Sequence, residues 1–193
     1  MGSEKEQKVL IAAWSVFLKY GYKRVTMGDI AEAAGISRPA LYLLFNKKED
    51  VFRSVVRHNR RQRLEEVRQA ITSSPKSVRD KLQFAFEIWS VKQFDMLKNS
   101  EGAEELLDGG FAFARDDIQQ GYAEFESVLA PIIQPLIKGS PLKNISAKQI
   151  AHVLVTSTRG FKQVSRNSSE YRNLIESLLT MTLASLERPG NFA

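Results

Sequence analysis

Residues Thr26–Phe45, TMGDIAEAAGISRPALYLLF, decide the fold. Thr26 can cap a helix, and Asp29 three residues on completes the spacing of a capping box. Ile30, Ala31 and Ala34 recur at helical spacing and give a narrow apolar face. Gly35 tolerates the left-handed conformation that a helix stop needs. Ser37 caps the next helix, and Pro39 falls in its first turn, where a missing N–H costs nothing. Leu41, Leu44 and Phe45 supply an inward face. Two short helices locked at a steep angle through small residues and a glycine make a helix-turn-helix. Its second helix then presents Ser37, Arg38, Ala40, Tyr42 and Leu43 outward, toward a DNA major groove. The competing interpretation of this window alone is an ordinary helical hairpin inside a bundle.

The flanks extend the pattern in both directions. Glu4–Tyr20 reads as a helix on Val9, Leu10, Ala13, Trp14, Phe17 and Leu18, ended by Gly21. The Trp14 and Phe17 face is expected to pack over Ile30 and Leu41. Lys48–Ser73 reads as a long helix with Glu49 and Asp50 in its first turn, where the helix dipole favours acids. Val51, Phe52, Val55 and Val56 face the small unit, and Arg57, Arg60, Arg61 and Arg63 read as a solvated face. Beyond Ser73-Ser74-Pro75, helices are expected over Lys76–Lys98, Ala103–Leu107, Phe113–Ile137 (interrupted or bent at Pro131 and Pro135), Ser146–Ser165 and Ser169–Glu187. Neither strand-like alternation nor an internal repeat is present. The chain reads as all-α. Residues 1–47 form a three-helix helix-turn-helix domain, and 48–193 a helical effector-binding and dimerisation domain with 48–73 as the connecting helix.

Composition narrows the function. The 193 residues include no cysteine and two histidines, His58 and His152, which leaves no thiolate or histidine-rich metal centre and no cysteine nucleophile. No cofactor is called for. There is no run of eighteen apolar residues and no apolar leader, so the expected location is the cytoplasm, with no membrane partner. Charge is uneven: residues 1–63 carry 13 Lys and Arg against 6 Asp and Glu, the remainder 15 against 16. A basic first third points that part of the chain at a polyanion.

The segment Val9–Phe52 resembles the DNA-binding domain of TetR-type transcriptional regulators. The resemblance is carried by Phe17, Gly21-Tyr22, Val25-Thr26, Asp29-Ile30-Ala31, Ala33-Ala34-Gly35-Ile36-Ser37, Leu41-Tyr42, Phe45 and Lys48-Glu49. Leu44 departs from it, since His or Tyr is common there and touches a phosphate. The resemblance implies an all-α homodimer with a small-molecule pocket in the C-terminal part, whose last two helices (146–187) pair across a two-fold. By similarity Thr26, Tyr42 and Lys48 go to phosphates. Arg38 reads a guanine edge or meets another phosphate, Ser37 and Ala40 lie beside it, and Lys23 and Arg24 reach the backbone from the flank.

For the effector, Phe86, Trp89, Phe113, Tyr122, Phe125 and Phe161 are the candidates to line a cavity, with Phe94 and Phe111 further ones; core packing is the competing role for each. Ionisable residues are sparse around them, so the expected ligand is mostly apolar, with Asp116, Arg159 and Lys162 available to orient a polar end. The expected function is a repressor released from its operator, a double-stranded DNA site, by such a molecule. The alternatives are a ligand-independent DNA-binding protein or an activator on the same fold, and an enzyme or structural bundle. Against an enzyme stand the missing cysteine, the scattered histidines and the lack of a phosphate-cradling glycine loop.

Overall fold

The computed structural model describes residues 4–73, 77–102, 106, 111–138, 140–142 and 144–186, and no strand occurs among them. Two compact units emerge, Met1–Gln62 with Met96–Gln120, and Arg63–Asp95 with Gly121–Ala193. The N-terminal unit therefore takes in more chain than residues 1–47.

In that first unit α1 (Glu4–Tyr20) buries Val9, Leu10, Ala13 and Phe17 on one stripe. It ends at Gly21, whose φ of 78° only glycine adopts without strain. Helix α2 (Met27–Ala33) opens with the expected capping box. The Thr26 N–H donates to Asp29 Oδ2 at 2.8 Å, and the Asp29 N–H donates to Thr26 Oγ1 at 3.3 Å. The Thr26 backbone N–H first, and then the Thr26 hydroxyl donating to the same carboxylate, hold the Asp29 carboxyl below its ordinary range. Gly35 at φ 64° turns the chain into α3 (Arg38–Tyr42), capped by Ser37, whose Oγ accepts the Ala40 N–H. Helix α4 (Lys48–Ser73) follows. Phe17, Ile30, Leu41, Val51, Phe52 and Val55 are all buried in one core, with Trp14 and Val56 at its edge. Each large side chain buried there contributes about 2 kcal/mol.

The chain returns to this unit after residue 95. The rings of Tyr22, Phe52, Phe111 and Phe113 pack edge-on or tilted, 4.7–5.7 Å apart. The Gly102 N–H donates to the Leu18 carbonyl at 2.9 Å. A Cβ at Gly102 would lie 2.1 Å from the Gly21 backbone nitrogen, which cannot yield as a flexible side chain can. Gly102→Ala is expected to lower stability by about 1–3 kcal/mol, the cost of overpacking, measurable as a drop in the urea midpoint.

Of the arginines of α4 read as a solvated face, Arg61 is exposed, but Arg57, Arg60 and Arg63 are engaged within the protein. Arg53 and Arg57 both bind the Asp117 carboxylate, at 2.6 and 3.2 Å, and Arg60 donates to the Asp117 carbonyl at 3.1 Å. Arg60 is buried. Asp117 lies in the first turn of α7 (Arg115–Ile137), so a carboxylate in α7 anchors one turn after another of α4.

In the second unit α5 (Val78–Phe86) starts with a capping box from Ser77 and Asp80 and passes into a π-helical turn, Glu87–Val91, before α6 (Lys92–Lys98). The helix expected over Lys76–Lys98 is thus found from Val78 to Lys98, with one π-helical turn inside it. Of the interruption or bend expected at Pro131 and Pro135, no interruption occurs: helix α7 continues through both prolines. Helices α8 (Ala147–Val164) and α9 (Ser168–Leu186) complete the unit, α8 capped by Ser146 and Gln149. Arg172 of α9 clasps Glu87 with two bonds of 2.9 and 2.8 Å, and Tyr171 donates to the Thr158 carbonyl at 3.1 Å. The short helix expected over Ala103–Leu107 lies outside the described residues except for Leu106, which is helical.

Candidate nucleic-acid interface

The fold leaves one side of α3 uncovered. Leu41 is fully buried beneath it, while Tyr42 is 51% and Leu43 88% exposed. Ser37 and Arg38 are exposed, and Ala40 is half-buried. An apolar side chain exposed that far beside a tyrosine and an arginine is poor for a free surface and well suited to a groove that carries base edges, thymine methyls and phosphates. Arg38 lies back across α2: a Cβ at Gly28 would meet its guanidinium at 2.2 Å, so the glycine makes room for it. The Asp29 carboxylate feels the charge of Arg38. Lys23 and Arg24 are exposed on the link between α1 and α2. Thr26 is exposed, and its hydroxyl donates to Asp29 at 2.8 Å within the capping box.

Lys48 departs from the sequence expectation. Its amine donates to the carbonyls of Tyr22 (2.8 Å), Lys23 (3.4 Å) and Val25 (2.7 Å) and sits 4.4 Å from the centre of the Tyr22 ring. An ammonium has three protons, and all three are engaged. The side chain ties the start of α4 to the link before α2 and has no donor left for a phosphate.

The candidate effector residues divide between the two units. Phe113 belongs to the aromatic cluster around Tyr22 and Phe52 in the N-terminal unit, and so does Phe111, a correction to their placement beside Phe86 and Trp89. The ring of Tyr22 needs neighbours from a distant stretch to complete its burial, and these two supply them. Asp116 also falls in the N-terminal unit. In the second unit Trp89 stacks on Phe125 at 4.7 Å and 12°, and Phe86 meets Phe125 edge-on at 5.3 Å. All three are buried. Tyr122 and Phe161 are half-buried. Phe86 also lines a cleft of 290 Å³ between α5, the π turn and α9, together with Phe84, Val91, Ile175 and Leu179. The residues that sequence reasoning missed are Arg63, read as solvated, and Gln93. Arg63 donates to the Trp89 carbonyl and the Gln93 side-chain oxygen, and its guanidinium lies 5.0 Å from the Trp89 ring centre.

Among the described residues no cluster of His, Cys, Asp and Glu could hold a metal, and no helix is long and apolar enough to cross a membrane.

Residues 9–55 match the family described as bacterial regulatory proteins, tetR family. The chain is 28% identical over 153 residues to the HTH-type transcriptional activator FasR of Mycolicibacterium smegmatis, covering 79% of this chain and 68% of that protein. It is 39% identical to the HTH-type transcriptional repressor BepR of Brucella suis over 54 residues, 28% of this chain and 26% of that protein. A transcriptional regulator from Cytophaga hutchinsonii shares the fold with a TM-score of 0.79 at 20% identity, over 94% of this chain and 98% of that one. The fatty acid degradation regulator FadR of Bacillus halodurans gives 0.70 at 17% identity, over 97% and 99%. A capped, glycine-turned pair of helices with an uncovered second helix, inside the matched segment, is a DNA-reading module of the tetR family, and the chain is a DNA-binding transcriptional regulator.

Proposed function

We propose that the protein is a repressor that leaves its operator when a small, mostly apolar molecule binds the C-terminal unit. The exposed outer side of α3 carries the DNA part of this proposal. Tyr42, Thr26, Lys23 and Arg24 serve the backbone. Arg38, swinging out from over Gly28, reads a guanine edge with Ser37 and Ala40 beside it, and Leu43 meets a thymine methyl. Helix α4 runs from one unit into the other, so a ligand that favours one setting of α4 biases the presentation of α3. The site of action is the cytoplasm, where the operator lies.

The working form is a homodimer paired through 146–187. Helices α8 and α9 leave Val153, Val164 and Met181 more than half exposed, and a Cβ at Gly160 would meet nothing within 4 Å, so both helices have apolar surface and room for a partner. Light scattering at micromolar concentration is expected to give twice the chain mass; a monomer would remove this element.

A mobility shift with fragments from beside its own gene tests the whole proposal. Binding is expected to weaken steeply with salt, through counterion release. Arg38→Ala is expected to cost about 1–3 kcal/mol at one base pair and leave other positions alone, read by competition with single-base operator variants. Tyr42→Ala is expected to weaken all sequences alike. An unchanged preference in Arg38→Ala would refute the base-reading role. A second possibility, activation, is favoured by the name of the Mycolicibacterium relative; a reporter gene that falls silent when this gene is deleted would select it.

A further inference from the structure

Helices α5 and α9 of the C-terminal unit are pinned to each other at two levels and stand apart between them. Arg79, near the start of α5, donates to Thr180 Oγ1 of α9 at 3.1 Å. Glu87, at the head of the π turn, accepts two bonds from Arg172 of α9, at 2.9 and 2.8 Å. Residue numbers rise along α5 as they fall along α9, so the two run antiparallel and Gln83 stands level with Glu176. The cleft of 290 Å³ opens at that level. Phe86, Val91, Ile175 and Leu179 make its floor, none more than 3% exposed. Phe84, 48% exposed, stands at its lip.

Two independent features mark this gap as a place for a ligand. Interiors ordinarily close over an apolar gap, because its lining forfeits contacts while it stays open. The ties on either side hold α5 and α9 apart and keep it open. The π turn also borders it, with Glu87 and Val91 as the first and last residues of that turn. Such turns are rare inside helices and recur at functional sites.

The rim selects the head group. Glu87 and Arg172 satisfy one another. Glu176 is exposed and makes no hydrogen bond among the described residues. An incoming carboxylate reaches Arg172 only by breaking both bonds to Glu87, and it meets two like charges there. A protonated amine finds Glu176 unspent, and Glu87 keeps lone pairs to spare. A cavity of about 150 Å³ holds one benzene ring, so the cleft suits a body of about two rings.

We infer that the cleft between α5 and α9 binds a small organic cation, a protonated amine on a two-ring apolar body, with the body on the floor and the amine at Glu176. This names the site and class of the effector and rests on the ligand-responsive function proposed above only for its regulatory consequence; binding is tested without DNA.

The full chain is titrated by calorimetry at neutral pH with naphthylethylamine, naphthylethanol and naphthylacetate. The amine is expected to bind about tenfold more tightly than the acid, with the alcohol between them, since one exposed ion pair is gained and one repulsion avoided. Glu176→Gln is expected to bring the amine down to the alcohol. In isotope-labelled protein the amine is expected to shift the methyl signals of Ile175 and Leu179 and to leave those of Ile30 and Leu41 in place. Failure of all three to bind overturns the site, as does equal binding of amine and acid, an amine preference that survives Glu176→Gln, or methyl shifts that spare Ile175 and Leu179. If the amine binds with the expected preference yet leaves the operator complex intact, the site stands and the ligand-responsive function fails.

Discussion

Asp117→Asn is expected to destabilise the N-terminal unit by about 2 kcal/mol. The Asp117 side chain is only 8% exposed and accepts from both Arg53 and Arg57. Losing one partner of a fully buried ion pair costs about 3–5 kcal/mol. Here the arginine side chains are 41% and 35% exposed and can turn to water, so the smaller range for charged hydrogen bonds, about 1.5–3 kcal/mol, applies. The pH dependence gives a second readout. Desolvation pushes the Asp117 carboxyl up, but the hydrogen bonds from Arg53 and Arg57 outweigh it and hold it below its ordinary value. A carboxyl lowered in the folded state adds stability that is complete above the unfolded value, about 3.9, and is lost as pH falls through the lowered one. Wild-type protein is therefore expected to lose stability more steeply than Asp117→Asn as pH drops below about 4. In a Trp89→Phe background, Trp14 is the remaining tryptophan and reports urea unfolding of this unit. Parallel acid profiles for the two proteins would sink the assignment.

Lys48→Ala is expected to cost a further ~1.5–3 kcal/mol, the range for hydrogen bonds from a charged donor. Three carbonyls lose their donor, and the link between α1 and α2 loses its tie to α4. The DNA readout separates this structural role from a phosphate contact. A residue that neutralises a phosphate lowers the slope of log affinity against log salt by about one when removed. Lys48→Ala is expected to leave that slope unchanged at temperatures where the protein is folded, while Tyr42→Ala and Lys48→Ala diverge in melting temperature. A slope reduced by one, with stability intact, would return Lys48 to the phosphates.

Local chemistry made the helix-turn-helix legible. Thr26 with Asp29, Gly35 and Ser37 each act within four residues of themselves, and each took the place its type dictates. The bounds of α1 and α4 followed from apolar period and acidic first turns. Phe113 and Lys48 show where that kind of inference stops. A helical stripe says that a ring is buried, not which core buries it, and Phe113 answers to Tyr22, 91 positions earlier. The reach of a lysine amine over 23 to 26 residues leaves no periodic trace. The arginines of α4 look like a solvated face because their partners, Asp117, Trp89 and Gln93, come from other helices. The helix over Arg115–Ile137 survives two prolines because a proline removes one hydrogen bond per site, and the buried Phe125, Leu129 and Ile133 outweigh that.

The π turn at Glu87–Val91 has a consequence for how this chain tolerates length changes. One residue more per turn offsets everything after it by about 100° around the helix axis. Phe86 before the turn and Phe94 after it are both buried under that offset. Deleting a single residue between 87 and 91 removes the surplus that the wide turn absorbs, so ordinary winding then keeps both aromatics inward; ordinary winding of the undeleted stretch is what would swing one of them out to water. A further insertion there acts as a rotation, whereas the loss of one residue does not.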